Sequence, residues 1–216
     1  MRKLFTCPSY LLLLFLSLLT ISACGDGSGE EKDIVTEPEK MNDRVTTNIT
    51  QLLSRIKDGG KADDSTTISR FNAVDAYYNQ SGYKAVWSSD ERFLSIADSM
   101  MLFLQQAKLY GLFPEDYHFP VLKNIAARFA ADTASVGDRR DAALWSKADV
   151  LLTDAFFHMA AHLHIGRLKV DSTFMNPDSV LTDKFYQSNL SAVVNGKSLS
   201  EVFHALEPSH NGYVEL

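Results

Sequence analysis

Two histidines in the second half of the chain, His158 and His162, are four residues apart, and Asp154 stands four residues before the first of them. On an α-helix this spacing places all three side chains on one face, and two imidazoles so arranged can chelate a zinc ion. Met159 rather than a glutamate follows His158, so the pattern lacks the general base of HExxH metalloproteases. Because the sequence shows no third ligand in place, we favour a polar stripe over a metal site and expect no cofactor.

Asp149 and Asp154 are carboxylates within an otherwise apolar segment, where two such groups could act as a general acid and a general base. Five positions on a helix turn the second side chain about 140° away from the first, a poor geometry for paired catalysis. A buried carboxylate needs partners, or its pKa rises. We therefore expect each carboxylate to bind a nearby backbone N–H group or an arginine such as Arg128 or Arg167.

Residues 111–118, Gly-Leu-Phe-Pro-Glu-Asp-Tyr-His, form a predicted turn rich in aromatic and acidic groups. The turn could line a ligand groove, but we favour a packed corner in which Tyr117 and Phe119 plug a helical bundle. Elsewhere the sequence has no phosphate-binding loop, no GxSxG, no CxxC and no Cys/His pair. No catalytic residue is therefore assigned.

Helices are the elements that must position these side chains. Apolar residues recur at helical spacing along most of the chain, and no alternating run is long enough to predict a strand. The longest segment is apolar over so much of its circumference that it should lie at the centre. Ser198 and Glu201 match a capping box at the start of the last helix. The predicted fold is all-α, an irregular bundle of about five to six helices. The predicted helices are 68–80, 91–110, 120–131, 139–165, 177–190 and one from 198 that ends before Pro208.

The amino-terminal residues have the layout of a bacterial signal peptide, with a basic start, an apolar run over 10–21 and small residues before Cys24. The apolar run is shorter than the roughly 20 residues that span a bilayer. Residues 21–24, Ile-Ser-Ala-Cys, resemble the lipobox, in which the cysteine is acylated and becomes the new amino terminus. We expect residues 1–23 to be a lipoprotein signal peptide and Cys24 to carry the lipid. The location would be the cell envelope, at the outer membrane; an ordinary secreted protein is the alternative.

The segment that follows the lipidation site, residues 24–66, begins with small, polar and acidic residues that bury too little apolar surface to fold. We expect it to be an acidic flexible tether, with a weak helix at 44–57, and residues 67–216 to form one helical domain. Cleavage after residue 23 leaves 19 basic and 27 acidic residues, a net charge of -8. Such an acidic chain argues against nucleic acid as a partner.

Four segments, in a fixed order, carry a resemblance to a known family. The matching residues are Trp87 at the end of the aromatic segment 76–87; Gly111, Leu112, Pro114 and Tyr117 in 110–118; Asp149, Thr153, Asp154 and Gly166 in 149–167; and Pro208 and Tyr213 in 206–216. With these residues the chain resembles the helical scaffold domain of the large, YcbB-type L,D-transpeptidases, which crosslink peptidoglycan stems. Asn211 departs from the pattern, since the family usually has proline there.

The resemblance implies a structural role for the matching residues and a non-catalytic scaffold function in peptidoglycan crosslinking and cell wall organisation. Full-length relatives continue into a catalytic domain whose HGT…S.GC.R-like motif supplies a cysteine nucleophile. Since this sequence lacks that motif, we expect a truncated or split member that is inactive as an enzyme on its own. Expected partners are the membrane, through the lipid, and peptidoglycan or cell-wall synthesis proteins. The alternative is a helical envelope lipoprotein that binds a metal or an unrelated ligand through Asp154, His158 and His162.

Overall fold

The computed structural model describes residues 32–59, 62, 66–89, 92–134, 140–167 and 181–208. Over these residues the chain forms seven α-helices and two small antiparallel strand pairs, which confirms the predicted all-α class. The helices are α1 Met41–Gly59, α2 Phe71–Ser81, α3 Ser95–Gln105, α4 Phe119–Ala134, α5 Ala142–Ile165, α6 Asp183–Val194 and α7 Leu199–His204. The strands are β1 Ile34–Val35, β2 Ser88–Ser89, β3 Arg92–Phe93 and β4 Arg140–Asp141.

The central element is α5, as its broad apolar surface predicts. Every residue from Ala148 to Phe157 is buried, and α5 contacts α1, α2, α3, α4 and α6. The helix begins at Ala142 rather than at 139, because the Asp141 side chain accepts a hydrogen bond from the Leu144 N–H and caps the first turn. The functional side chains on α5 are therefore held by packing on several sides.

Helix α1 corrects the expectation that residues 24–66 are a flexible tether. Its apolar stripe packs against α5, and within it Met41, Val45, Ile49 and Ile56 are each at most 2 % exposed. The weak helix predicted at 44–57 is thus a full-length helix in the core. The many polar residues around the stripe made the helix look weak in the sequence. An amphipathic helix, however, gains its stability from the face that it buries. Residues 24–31 lie outside the described part.

The stretch before α1 is fastened to the start of α5. β1 pairs with β4 in antiparallel register, with Ile34 opposite Asp141. Asp33 extends the pairing: its N–H donates to the Asp141 carboxylate over 3.0 Å, and its carbonyl accepts from the Ala142 N–H over 2.8 Å. The Asp33 carboxylate binds the side chain of Arg44, and this bond is the main reason that its pKa lies below the usual value. These contacts hold the stretch against both α1 and α5.

The predicted helix at 91–110 is shorter than expected and divides into three elements. Its first residues form β3, which pairs with β2, and the Leu94 N–H donates to the Trp87 carbonyl. Helix α3 follows and ends at Gln105, and a 3-10 turn occupies Ala107–Tyr110. Phe93 leaves the helical register because its ring stacks on Trp145, with centroids 5.0 Å apart. A tertiary aromatic contact thus overrides the local helical pattern.

The remaining predicted helices are present, with their ends shifted. The 68–80 segment becomes α2, 120–131 becomes α4, and 177–190 becomes α6, which starts at Asp183. The capping box is confirmed: the Glu201 N–H donates to the Ser198 hydroxyl, and the Glu201 carboxylate accepts from the Ser198 N–H. None of the helices that the structure describes combines the length and apolar character needed to cross a membrane.

Candidate functional site

Asp149 lies in the middle of α5 with no exposed surface. Its carboxylate accepts hydrogen bonds from the Tyr78 hydroxyl over 2.6 Å and from the backbone N–H groups of Val86 and Trp87 over 3.0 and 2.9 Å. Burial raises the pKa of Asp149 to about 6, and the hydrogen bonds from its partners act in the opposite direction. The carboxylate therefore ties the loop after α2 to the central helix.

Thr153, one turn after Asp149, completes the same set of contacts. Its hydroxyl accepts a hydrogen bond from Trp87 Nε1 over 2.9 Å, shares one with the Tyr78 hydroxyl over 2.8 Å, and donates to the Asp149 carbonyl. We call Tyr78, Trp87, Asp149 and Thr153 the Asp149 network. All four residues are fully buried. The structure thus brings together three motif residues from two distant segments, in a structural role.

Tyr78 is the member of the Asp149 network that the sequence did not single out as a partner. It lies in the aromatic segment 76–87, and nothing in that segment links it to Asp149 or Thr153. The available signal is chemical: a tyrosine at a core position of a helix has a hydroxyl that needs a hydrogen-bond partner. Burial, together with the neighbouring Asp149 charge, raises the pKa of Tyr78 well above its ordinary value, so the hydroxyl keeps its proton.

Asp154 belongs to a separate group of contacts on another side of α5. Its carboxylate accepts from the backbone N–H groups of Ser69 and Arg70, over 3.0 and 2.6 Å, and lies 2.6 Å from His118 Nε2. The expectation that the two buried aspartates bind backbone N–H groups is therefore confirmed. Asp149 and Asp154 hold different loops and do not form an acid–base pair.

The two arginines expected as partners of the buried aspartates pair elsewhere. Arg167 binds Asp116 over 2.8 Å, and its guanidinium lies over the Phe113 ring. Arg128 lies 4.0 Å from Asp141 at the start of α5. Both arginine side chains lie too near the surface to reach the fully buried carboxylates of Asp149 and Asp154. Of the two expected kinds of partner, the structure supports the backbone N–H groups, which, together with His118 for Asp154, already supply the donors.

Residues 111–118 form the packed corner that we favoured over a ligand groove. Gly111 takes a left-handed backbone conformation that ends the preceding turn, and Leu112 and Pro114 are buried. A 3-10 turn over Pro114–Tyr117 then carries the Tyr117 ring into the bundle, where it has no exposed surface. Phe119 is only half-buried, so Tyr117 is the residue that plugs the corner.

The Tyr117 ring meets both histidines of the predicted polar stripe. Its hydroxyl lies 2.6 Å from His162 Nδ1, and the His158 and His162 rings lie 4.3 Å apart between centroids. We call Tyr117, His118, Asp154, His158 and His162 the histidine corner. Sequence reasoning placed three of these side chains together but did not connect Tyr117 and His118 to them, because the corner and α5 are far apart in the chain.

The electrostatics of the histidine corner favour neutral imidazoles. Burial is the largest cause that lowers the pKa of His158, and burial followed by the neighbouring His158 lowers that of His162 to about 4. The positive charges of Arg70 and Arg167 act in the same direction on His162. Both rings are therefore available at neutral pH as hydrogen-bond acceptors or as metal ligands.

The proposed trio of Asp154, His158 and His162 does not form a three-ligand site. The Asp154 carboxylate is already engaged by three donors, and His164 faces the other way, against the Phe185 ring. Among the residues that the structure describes, no group of three or more His, Cys, Asp or Glu side chains could hold a metal ion. A metal ion at the histidine corner would therefore have fewer than three ligands from these side chains.

The other residues singled out from the sequence lie at the edges of the described structure. Gly166 follows α5 with φ of 83°, and its N–H donates to the His162 carbonyl. Pro208 is exposed beyond α7. Cys24 and Tyr213 lie outside the described residues.

Comparison with known proteins identifies a family. A family model described as Scaffold domain matches residues 72–216, more than half of the chain. No curated protein and no solved structure matches. The matched region includes the whole Asp149 network and the whole histidine corner, whereas α1 and β1 lie before it.

Proposed function

Because the chain belongs to the Scaffold domain family, the scaffold of L,D-transpeptidases, we propose that it is the non-catalytic scaffold part of a cell-envelope protein that takes part in peptidoglycan crosslinking. Within that family we propose the large YcbB type. The support for this type is the order of the four segments, from the aromatic run that ends in Trp87 to the Pro208 segment.

The observation that carries the proposal is the Asp149 network. Trp87, Asp149 and Thr153 are motif residues with reactive or polar groups, yet none has exposed surface. Each of their polar groups is paired with another member of the network or with backbone. A group that is buried and fully paired cannot meet a substrate, but it does hold a loop in one position. These residues therefore suit a scaffold and not a catalytic centre.

We also propose that the chain is held in the cell envelope by a lipid on Cys24, at the outer membrane. The support is the signal-peptide layout of residues 1–23 and the lipobox resemblance at 21–24. Peptidoglycan and the proteins that synthesise the cell wall are the proposed partners. The acidic composition disfavours nucleic acid.

The proposal is tested by muropeptide analysis of cells in which the gene is deleted. We expect fewer L,D-crosslinked muropeptides, with restoration by the wild-type chain and by the surface variant Leu109→Ala, whose side chain is 79 % exposed. Trp87→Ala, which disrupts the Asp149 network, should fail to restore them. An unchanged muropeptide profile in the deletion strain would contradict a role in crosslinking.

The non-catalytic part of the proposal has its own test. Purified full chain is incubated with muropeptides, with and without a thiol-blocking reagent. We expect no crosslinked product under either condition. Crosslinking that the reagent abolishes would show a cysteine nucleophile in this chain and would overturn the assignment as a scaffold.

A further inference from the structure

An open groove of about 780 Å³ runs along one face of α2, beside the end of α1. Lys57 lines it from α1, and the other lining residues come from α2: Phe71, Asn72, Asp75, Ala76, Asn79 and Gln80. We call these residues the α2 groove. Each of them is exposed or half-buried, so a ligand can reach their side chains from solvent. The volume lies within the range of about 300–1,000 Å³ that is common for ligand sites.

The polar side chains of the α2 groove form a row. Asn72, Asp75 and Asn79 lie at positions i, i+3 and i+7 of the helix and therefore share one face, which extends about 12 Å from Asn72 to Gln80. No hydrogen bond or ion pair among the described residues engages the side chains of Asn72, Asp75 or Gln80. Asn79 donates one hydrogen bond, to the Tyr83 hydroxyl over 3.3 Å, and its carbonyl oxygen remains available. The row thus offers amide donors, amide acceptors and a carboxylate to a ligand.

The remaining residues of the α2 groove complete its chemistry. Phe71 contributes a half-buried aromatic ring, on which an apolar ligand surface can pack. Ala76 stands within the polar row, and its small side chain leaves space that a larger residue would fill. Lys57 and Asp75 supply one charge of each sign and form no ion pair with each other. The described lining is therefore neutral overall, and it combines many hydrogen-bonding groups with one aromatic surface.

This composition distinguishes between classes of ligand. The backbone N–H groups of Asp75, Asn79 and Gln80 are bonded within α2, so an extended peptide cannot add to this wall as a strand. Lys57 is the single cation of the described lining, too little charge for a nucleic-acid backbone. A ligand with many neutral hydroxyl and amide groups and with apolar C–H faces, such as a saccharide, matches the row and the ring.

A second groove, of about 420 Å³, adjoins the first at Phe71 and Asn72. Its other lining residues include Arg70, Asp183 and Tyr186, so it extends from the start of α2 towards α6. Because the two grooves share two residues, a chain ligand has a path past the start of α2. A glycan chain uses such a path, whereas a single sugar does not need it.

We propose that the α2 groove binds a glycan of β-1,4-linked N-acetylated amino sugars. Asn72, Asp75 and Asn79 bind its hydroxyl and acetamido groups, and the C–H face of a sugar ring packs on Phe71. A side-chain amide both donates to and accepts from an acetamido group, so the row discriminates sugars that carry this group from those that do not. The choice of an amino-sugar glycan rests on the proposed function, since the strands of peptidoglycan are glycans of this kind.

The experiment is an NMR titration of the purified full chain with chitotetraose, four β-1,4-linked N-acetylglucosamines. We expect saturable shifts of the side-chain amide signals of Asn72, Asn79 and Gln80. Asn72→Ala and Asp75→Ala should each weaken binding roughly threefold to tenfold, the loss expected for one or two hydrogen bonds. Ala76→Leu, which places a larger side chain in the groove, should weaken it more. Cellotetraose, which has no acetamido groups, should bind several-fold more weakly.

Asn124→Ala is the matched control, because Asn124 is an exposed asparagine on α4, outside the α2 groove. It should bind chitotetraose as the wild type does. Circular dichroism checks the fold of each variant, and if a variant is unfolded the wild-type shifts decide. The proposal is wrong if chitotetraose produces no saturable shift in the groove, if cellotetraose binds equally well, or if a free stem peptide binds there and chitotetraose does not.

The same titration separates this proposal from the proposed function. Chitotetraose binding in the α2 groove, together with an unchanged muropeptide profile in the deletion strain, would leave the glycan site standing without a role in crosslinking. Fewer L,D-crosslinks in the deletion strain, together with no shift in the groove, would support the scaffold function and rule out the glycan site.

Discussion

Trp87 Nε1 donates a hydrogen bond to Thr153 Oγ1 over 2.9 Å and so joins two residues that are 66 positions apart in the sequence. The indole comes from the loop after α2, and the hydroxyl comes from the centre of α5. Thr153 also meets the Tyr78 hydroxyl, so one small side chain serves two aromatic groups. The stability of the Asp149 network therefore depends strongly on this threonine.

Thr153→Val keeps the shape of the side chain and removes its hydroxyl. Trp87 Nε1 then loses its partner in a buried site, and we expect the free energy of unfolding to fall by about 2–3 kcal/mol. Urea denaturation measures the change. Thr50→Val is the control, because Thr50 makes the same helical back-bond, to Thr46, on an exposed face. It should change stability by less than about 0.5 kcal/mol, and equal effects at both positions would contradict the role of the network.

Ile49→Ala tests whether α1 belongs to the core. Ile49 has no exposed surface, and its truncation leaves a cavity against α5, so we expect a loss of about 2–4 kcal/mol in the free energy of unfolding. Leu102→Ala, at a position 52 % exposed on α3, is the control and should cost less than about 1 kcal/mol. A small effect of Ile49→Ala, no larger than the control, would return residues 41–59 to the flexible tether that the sequence suggested.

Asp149 should titrate with an elevated midpoint. Because burial raises its pKa to about 6, the folded protein binds this proton more tightly than the unfolded chain does. Its contribution to stability is then fully present below the unfolded pKa of about 4 and is lost as the pH rises through about 6. The carboxyl ¹³C shift of Asp149 measures the midpoint. Tyr78→Phe removes a donor and should move the midpoint higher; a wild-type midpoint near 4 would show that burial is not the dominant effect.

His162 gives the opposite pH dependence. Its pKa in the folded protein lies at about 4, below the ordinary value of about 6.5, so the unfolded chain takes up the proton first. The stability that depends on neutral His162 is present at pH 7 and is lost as the pH falls from about 6.5 towards 4. Because the ring is partly exposed, we expect neutral His162 to contribute only about 1 kcal/mol to the free energy of unfolding.

His162→Gln checks this dependence by urea denaturation at pH 7 and pH 4.5. The difference in unfolding free energy between the variant and the wild type should shift in favour of the variant at the lower pH. His164→Gln changes an exposed imidazole on the same helix and should show no such shift. A shift of the same size in both variants would mean that His162 is not the group responsible.

Cys24→Ala tests the proposed lipid anchor. We expect the variant to move from the detergent phase to the aqueous phase in a phase-partition experiment, with an unchanged circular dichroism spectrum, because acylation needs the thiol. Cys7→Ala is the matched control, since Cys7 lies within the predicted signal peptide and should not affect partition. Cys24→Ala protein that stays in the detergent phase would contradict lipidation at this residue.

Local patterns predicted the helices well. The central position of α5 follows from its wide apolar surface, and the start of α7 follows from the Ser198 and Glu201 capping box, because both signals lie within a few residues of sequence. Partners that depend on the tertiary fold were not predictable in this way. The choice of Ser69 and His118 as donors to Asp154 joins residues 85 and 36 positions apart. No local pattern specifies such a pair.

Only part of the candidate site could be predicted, because its other contacts also join residues that are far apart in the sequence. The face shared by Asp154, His158 and His162 follows from helical spacing alone. Tyr117, which fixes the ring of His162, comes from a turn 45 residues earlier, and only the packed corner shows that the two meet. The sequence marked Tyr117 as a plug for the bundle, which is correct, but not as a hydrogen-bond partner.

The attachment of Asp33 beside Asp141 and Ala142 sets the path of mechanical load through the domain. A pull on the amino-terminal end of the described chain first reaches Asp33, whose backbone is bonded to the strand that leads directly into α5. The Asp33 carboxylate is bonded to Arg44 and Asn48 of α1, so tension at this residue is shared between the central helix and α1. If a membrane holds residue 24, a pull from the anchor would meet the start of the central helix and the first turns of α1 together.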